Sequence, residues 1–321
     1  MNSKNWILVL LLGFLWGASF LFVEILLNYI SPFMIVYLRV SLASIILILY
    51  IVLSKIKLEL SYLLIFNFFI MGMLNNVFPF LLITYGQQTV SGGLASILNA
   101  NTSFLTILLA SLILKNEPLT KSRIIGVLIG IIGVVIVIGY ENMSGFLNND
   151  VGKVLILLSG LSYALAAIFA KLRLQNIKPE IAATGMLTMS TLILSPFIIL
   201  FYGNEILSLN LISISYSLLF AVICSVLAYF IYFKILASTG AGNLLLCTII
   251  IPPSAILLNA IIIGELINFN EFIGLIIITL GLLILDGRLM KKILNVSNIN
   301  TSCLVFSPTI KSCKATSPGF L

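Results

Sequence analysis

The residues of this chain that could do chemistry sit mostly inside long apolar runs. Asn75 and Asn76 fall just before Pro79; Asn99, Asn101, Thr102 and Ser103 form a second polar patch; and Pro252 and Pro253 interrupt a third run beside Ser254. An unsatisfied polar group in hydrocarbon costs several kcal/mol. These positions therefore point either to a cavity that takes a solute or to hydrogen bonds between helices, worth about 0.6 to 2 kcal/mol each. Proline lacks an N–H and its ring clashes with the preceding turn, so Pro79 should kink its helix and the Pro252-Pro253 pair should expose carbonyls. Trp16, Ser19, Ser162, Tyr163 and Tyr229 add aromatic faces and hydroxyls. The expected substrate-binding set is Trp16, Ser19, Asn75, Asn76, Asn99, Asn101, Tyr163, Tyr229 and Pro252, with simple core packing the alternative for each aromatic. Such a lining suits a small amphipathic solute, whose apolar body stacks on rings and whose polar end meets neutral amides.

Two charges stand apart from this set. Glu24 and Arg39 lie on either side of the short loop 28–32, about 6 and 10 Å back from it at about 1.5 Å per residue. A charge toward the bilayer centre costs at least about 2.5 kcal/mol, so an outer-gate ion pair between them is expected, against independent snorkelling of each to the interface. Other chemistries lack their residues. The chain holds no histidine, its four cysteines show no CxxC spacing, and it has no phosphate-cradling GxxxxGK motif. No metal site, cofactor or direct ATP hydrolysis is expected. A membrane enzyme would need a nucleophile with a base, or a ligand cluster, inside the membrane, and a channel a ring of charges or a glycine-rich filter.

The elements that must hold these residues follow from composition. Of 321 residues, 61% are hydrophobic and 8% charged, against about 25% charge in a soluble domain. Splitting at Pro, Gly and charge clusters leaves ten apolar segments, near 5–27, 33–53, 62–86, 92–114, 121–140, 152–172, 181–202, 212–235, 242–263 and 269–287. About 20 apolar residues cross a bilayer as a helix. The first run is too long for a signal peptide's apolar region and is expected to be retained. The fold expected is an all-α integral membrane protein of ten transmembrane helices. With the N-terminus inside, every lysine and arginine except Lys153 and Arg39 falls on the cytoplasmic side. The net charge of +7 thus reads as topology, both termini cytoplasmic, and not as a nucleic-acid surface.

One constant offset lays Gly92 over Gly240, Glu117 over Glu265, Gly126 over Gly274, Gly133 over Gly281 and Gly139 over Gly287. One residue less lays Gly13 over Gly160 and Trp16 over Tyr163. The chain thus divides into a five-helix repeat over 1–140, a second over 151–288, and a disordered cytoplasmic tail over 289–321. Five is odd, so the repeats are inverted, the architecture of alternating access. The glycines on helices 5 and 10 offer close packing within the chain, or a homodimer face.

The stretches LLGFLWGASFLFVE in helix 1, Tyr37-Leu38-Arg39 in helix 2, the run from Gly72 to Thr120, and the run from Cys224 to Leu285 resemble the EamA branch of the drug/metabolite transporter superfamily. The resemblance implies a ten-helix carrier of small organic molecules with a central cavity lined mainly by helices 1, 3, 4, 6, 8 and 9. The function expected is a secondary carrier in the cell (inner) membrane, not an enzyme, with a small-molecule substrate and the lipid bilayer as its partners. Efflux of an amino acid or related solute leads. Uptake of an amino acid or of S-adenosylmethionine is the alternative, ahead of a channel or membrane enzyme.

Overall fold

The computed structural model describes residues 3–114, 120–138, 151–239 and 246–286. Cys303, Cys313, Glu117, the 289–321 tail and the repeat partners Gly139, Gly240 and Gly287 lie outside these. Helices account for the architecture: α1 (Ser3–Leu26), α2 (Pro32–Leu53), α3 (Tyr62–Gly86), α4 (Gly92–Ile113), α5 (Lys121–Ile138), α6 (Val151–Arg173), α7 (Pro179–Phe201), then α8 in three joined pieces (Leu211–Ala221, Val222–Leu227, Ala228–Thr239), α9 (Cys247–Ile262) and α10 (Phe269–Asp286). Eight of them, α1 through α8, are long and apolar enough to cross a membrane, while α9 and α10 are shorter apolar helices. No strand occurs among the described residues.

Local chemistry sets where these helices begin. Ser31 precedes Pro32 and its hydroxyl accepts the Met34 N–H at 3.3 Å; Ser61 accepts from Leu64 at 3.2 Å; Asn210 Oδ1 accepts from Ser213 at 2.7 Å. These are side-chain caps on N–H groups that a helix start leaves open. After α9 the chain turns at Gly264, whose φ of 78° only glycine adopts without strain. On the outer surface of the bundle, Leu53, Leu112, Ile199, Leu200, Phe201 and Ile261 are exposed, an apolar face that lipid covers.

The packing repeats itself. Helix α1 lies on α8 and α9 as α6 lies on α3 and α4, and α2 packs on α8 as α7 packs on α3. The pairs α2–α7, α4–α9 and α5–α10 map onto themselves when the first five helices are exchanged for the last five. Glycine makes the tightest of these contacts. A Cβ on Gly126 would stand 2.8 Å from the Gly281 carbonyl oxygen, one on Gly281 2.9 Å from that of Gly126, and one on Gly274 3.0 Å from that of Gly133. The glycine faces of α5 and α10 are thus spent on each other within the chain. The α1–α9 contact is built the same way, with Gly13 and Gly17 against Ile250 and Ser254, and Gly160 of α6 meets Asn101 and Thr102 of α4.

Helices α3 and α8 share a second feature, a stretch of π-helix at Met73–Val77 and at Val222–Leu227. A π turn holds one extra residue, which re-aims the side chains around it and loosens the backbone ladder. Both stretches fall at corresponding places in the two halves. Replacement of Gly126 by Leu is expected to force α5 from α10 and cost about 1 to 3 kcal/mol. Thermal unfolding of the purified protein should show the loss, with Gly203→Ala, which has open space around it, as the unchanged control.

Candidate functional site

The π-helical stretches position the polar groups of the bundle's interior. On α3 the stretch carries Asn75 and Asn76, and on α8 it carries Ser225. Asn76 is fully buried and donates to Ser190 Oγ of α7 at 3.0 Å, while Ser190 donates on to the Met186 carbonyl at 2.7 Å. Asn75 reaches Met186 Sδ at 3.6 Å and stands within hydrogen-bond range of the Tyr229 hydroxyl. The Leu74 carbonyl, inside the same stretch, accepts from Ser162 Oγ of α6 at 2.7 Å.

Arg39 sits next to this group. It is 8% exposed, its Nε donates to Ser225 Oγ at 3.2 Å, and its guanidinium carbon lies 3.8 Å from the Phe80 ring centroid and 4.4 Å from that of Phe220. Cation–π contact of this kind is worth about 2 kcal/mol when desolvated. Tyr163, Cys224 and Tyr229 are within electrostatic range. Among the described residues no carboxylate comes within ion-pair distance of Arg39, and its four Nη hydrogens have no acceptor.

In this structure Glu24 and Arg39, the expected gate pair, face different neighbours. Glu24, in the last turn of α1, faces the Gln87 amide at 3.4 Å and the backbone of Gly92 at the start of α4. Distance from the loop, the basis of the expectation, fixes height only. The azimuth of each helix turns Glu24 toward the α3–α4 junction and Arg39 toward Phe80 of α3 and Ser225 of α8. Acidic contacts do join the halves at one end of the bundle, through other residues. The Ser31 N–H and Oγ donate to Glu205 at 2.6 and 2.7 Å, and Ser91 Oγ and the Gly93 N–H donate to Glu265 at 2.5 and 3.1 Å. Each glutamate caps a helix start in the other half, where the helix dipole favours an anion.

The remaining expected residues divide. Trp16 meets Tyr232 at a ring separation of 6.1 Å, and Tyr232 meets Tyr229 at 6.4 Å, so α1 and α8 share a row of rings, with Tyr163 and Arg39 within electrostatic range of Tyr229. On α4, Asn101 donates to the Leu157 carbonyl at 3.2 Å and Asn99 Oδ1 accepts from Ser159 at 3.2 Å, both on α6. Ser19 is half-buried on α1, and Pro252 is buried on α9, where the preceding Ile251 carbonyl lies against Gly17. A cleft of about 330 Å³ opens at the rim between Lys153 and Glu271 and shares no residue with the expected set. Phe80, Phe220, Ser225, Gln87, Asn259 and Glu265 were not among the expected site residues. Gln87 and Asn259 carried a signal, being amides at the ends of apolar segments.

The EamA-like transporter family model matches the chain twice, over residues 4–139 and 150–285. The chain belongs to this family. It is therefore a multi-pass membrane transporter rather than an enzyme. It is 28% identical to the uncharacterized transporter YetK of Bacillus subtilis (strain 168) over 207 residues, covering 62% of the chain and 61% of that protein. It is 27% identical over 301 residues to a probable amino-acid metabolite efflux pump of Salmonella typhimurium (strain LT2), covering 88% of the chain and 95% of the pump. A solved crystal structure superposes with a TM-score of 0.62 at 15% identity, over 89% of this chain and 98% of that one, and shares its fold.

Since Glu24 and Arg39 face different neighbours, exchanging them (Glu24→Arg with Arg39→Glu) should not recover transport lost in either single reversal. Recovery in a flux assay would show that they meet elsewhere in the cycle.

Proposed function

We propose that this EamA-family transporter is an alternating-access carrier that exports an amino acid or a closely related carboxylate-bearing metabolite across the cell (inner) membrane. Reading the shorter α9 and α10 as spans too gives ten, arranged as inverted repeats over 1–140 and 151–288 with both termini in the cytoplasm. The swapped packing pairs and the matched π-helical stretches support that reading, and the distribution of lysine and arginine supports the orientation. Outward movement rests on the name of the Salmonella relative.

One observation carries the substrate class. Arg39 is a buried guanidinium with no acidic partner among the described residues, a state that costs several kcal/mol unless something anionic visits. Its Nη edge matches a carboxylate in the fork geometry of charge-assisted pairing. Tyr163, Tyr229 and Trp16 supply the aromatic surface for the rest of the molecule. In this state the glutamate contacts of Ser31 and Ser91 hold the outer ends of the two halves together, and alternating access requires that they break.

The test is counterflow in proteoliposomes with labelled amino acids, each paired with its decarboxylated amine. The acid should be carried and the amine should compete about 10- to 100-fold more weakly, the ratio for one charge-assisted hydrogen bond. Arg39→Gln should erase that preference, and Arg39→Lys should restore only part of it. Equal transport of amine and acid by the parent protein would overturn the substrate class. Accumulation of the solute inside intact expressing cells would overturn export.

A further inference from the structure

We propose that Glu24, Gln87 and Asn259 form a binding site for Na⁺ at the start of α4. The site rests on its own geometry, and only its role in the cycle rests on the carrier reading above.

Two buried amide oxygens without a donor lead to it. Gln87 is 5% exposed, and its Nε2 donates to the Phe20 carbonyl at 3.0 Å and toward Glu24 Oε2 at 3.4 Å. Those acceptors fix the amide orientation, and Gln87 Oε1 is left buried with no donor. Asn259 is fully buried, and its Nδ2 donates to the Ala255 carbonyl at 2.8 Å, so its orientation is fixed as well and Oδ1 has no donor. A Cβ on Gly92 would stand 2.9 Å from Asn259 Oδ1 and 3.1 Å from Glu24 Oε2. The two oxygens converge on one residue, and only glycine there lets them. The Glu24 carboxylate and the orphaned Asn259 oxygen thus meet at the start of α4, and the Gln87 amide, its own oxygen orphaned, reaches the same carboxylate from the end of α3.

Charge points the same way. Glu265 lies within electrostatic range of Glu24, and among the described residues no lysine or arginine comes within ion-pair distance of either. A helix N-terminus supplies about half a positive charge, too little for two carboxylates. Three occupants can then be weighed. A proton on Glu24 provides one donor and leaves one amide oxygen unmet, at a cost of about 1 to 3 kcal/mol. A water can meet both amides but adds no charge. A hard monovalent cation takes oxygen ligands, joins the Asn259 oxygen to the Glu24 carboxylate and offsets the negative charge there. Glu24 and Asn259 come from opposite halves, so an ion held between them favours one arrangement of the halves over the other.

The experiment is radiolabelled Na⁺ binding to the purified full-length protein without substrate, with K⁺ and choline as competitors. Saturable binding of one Na⁺ per chain that choline does not displace is expected, at least 10-fold weaker in Gln87→Leu and in Asn259→Leu and unchanged in Arg39→Gln. If a leucine variant fails to fold, the parent still decides, since Na⁺ but not choline should raise its melting temperature. Absence of Na⁺ binding by the parent, equal binding by folded leucine variants, or displacement by equimolar K⁺ would overturn the site while leaving the carrier reading intact. Na⁺ binding with counterflow indifferent to a Na⁺ gradient would overturn its role in the cycle.

Discussion

Hydrocarbon offers no hydrogen bonds, so every polar atom in this bundle must find its partner within the protein or in something the protein carries. That constraint sorts the interior. Asn76 with Ser190, Asn101 with the Leu157 carbonyl and Ser162 with the Leu74 carbonyl are closed pairs that tie α3, α4, α6 and α7 together. Among the described residues the buried Gln87 Oε1, Asn259 Oδ1 and Ser217 Oγ have no partner, and Arg39 has Ser225 as its one hydrogen-bond partner. The closed pairs hold helices to one another in this structure. Arg39, Gln87 and Asn259 are the groups that the proposed solute and ion would meet.

The same constraint explains the reliance on glycine and on π turns. Between helices in lipid the hydrophobic effect gives little attraction, so close approach must supply it through dispersion and backbone contact. Gly126 against Gly281 and Gly133 against Gly274 provide that for α5 and α10, leaving the other helices to line the interior. The π turns of α3 and α8 then give that interior its polar side chains, because the extra residue swings Asn75, Asn76 and Ser225 off the register of a regular helix.

Much of the helical layout was legible from hydropathy alone, since about 20 apolar residues carry a strong signal: helices lie within a few residues of the apolar segments wherever the chain is described. The family was legible from its motifs. The site was less so. Buried amides announce themselves by type, but whether Asn76 faces solute or a neighbouring helix depends on azimuth, and an unforeseen π turn shifts azimuth by most of a residue. Glu24 and Arg39 show the limit well. Their heights along the helices suggested a pair, and their azimuths gave them different neighbours. Arg39 was visible as an anomaly, while Phe80 and Phe220, the rings that hold it, look in sequence like any other apolar residues.

The glutamate caps on α2 and α4 bear on how the molecule is made. Ser31 opens α2 and Ser91 opens α4, but the carboxylates that complete those helix starts are Glu205 and Glu265. Each is synthesised 174 residues after the serine it meets. While the ribosome is still working through the second half, the starts of α2 and α4 have only the partners of their own half, Ser31 Oγ for the Met34 N–H and Glu24 for the Gly92 backbone. The first half thus reaches the bilayer with two of its helix starts only partly capped, and the carboxylate that completes each arrives late in translation.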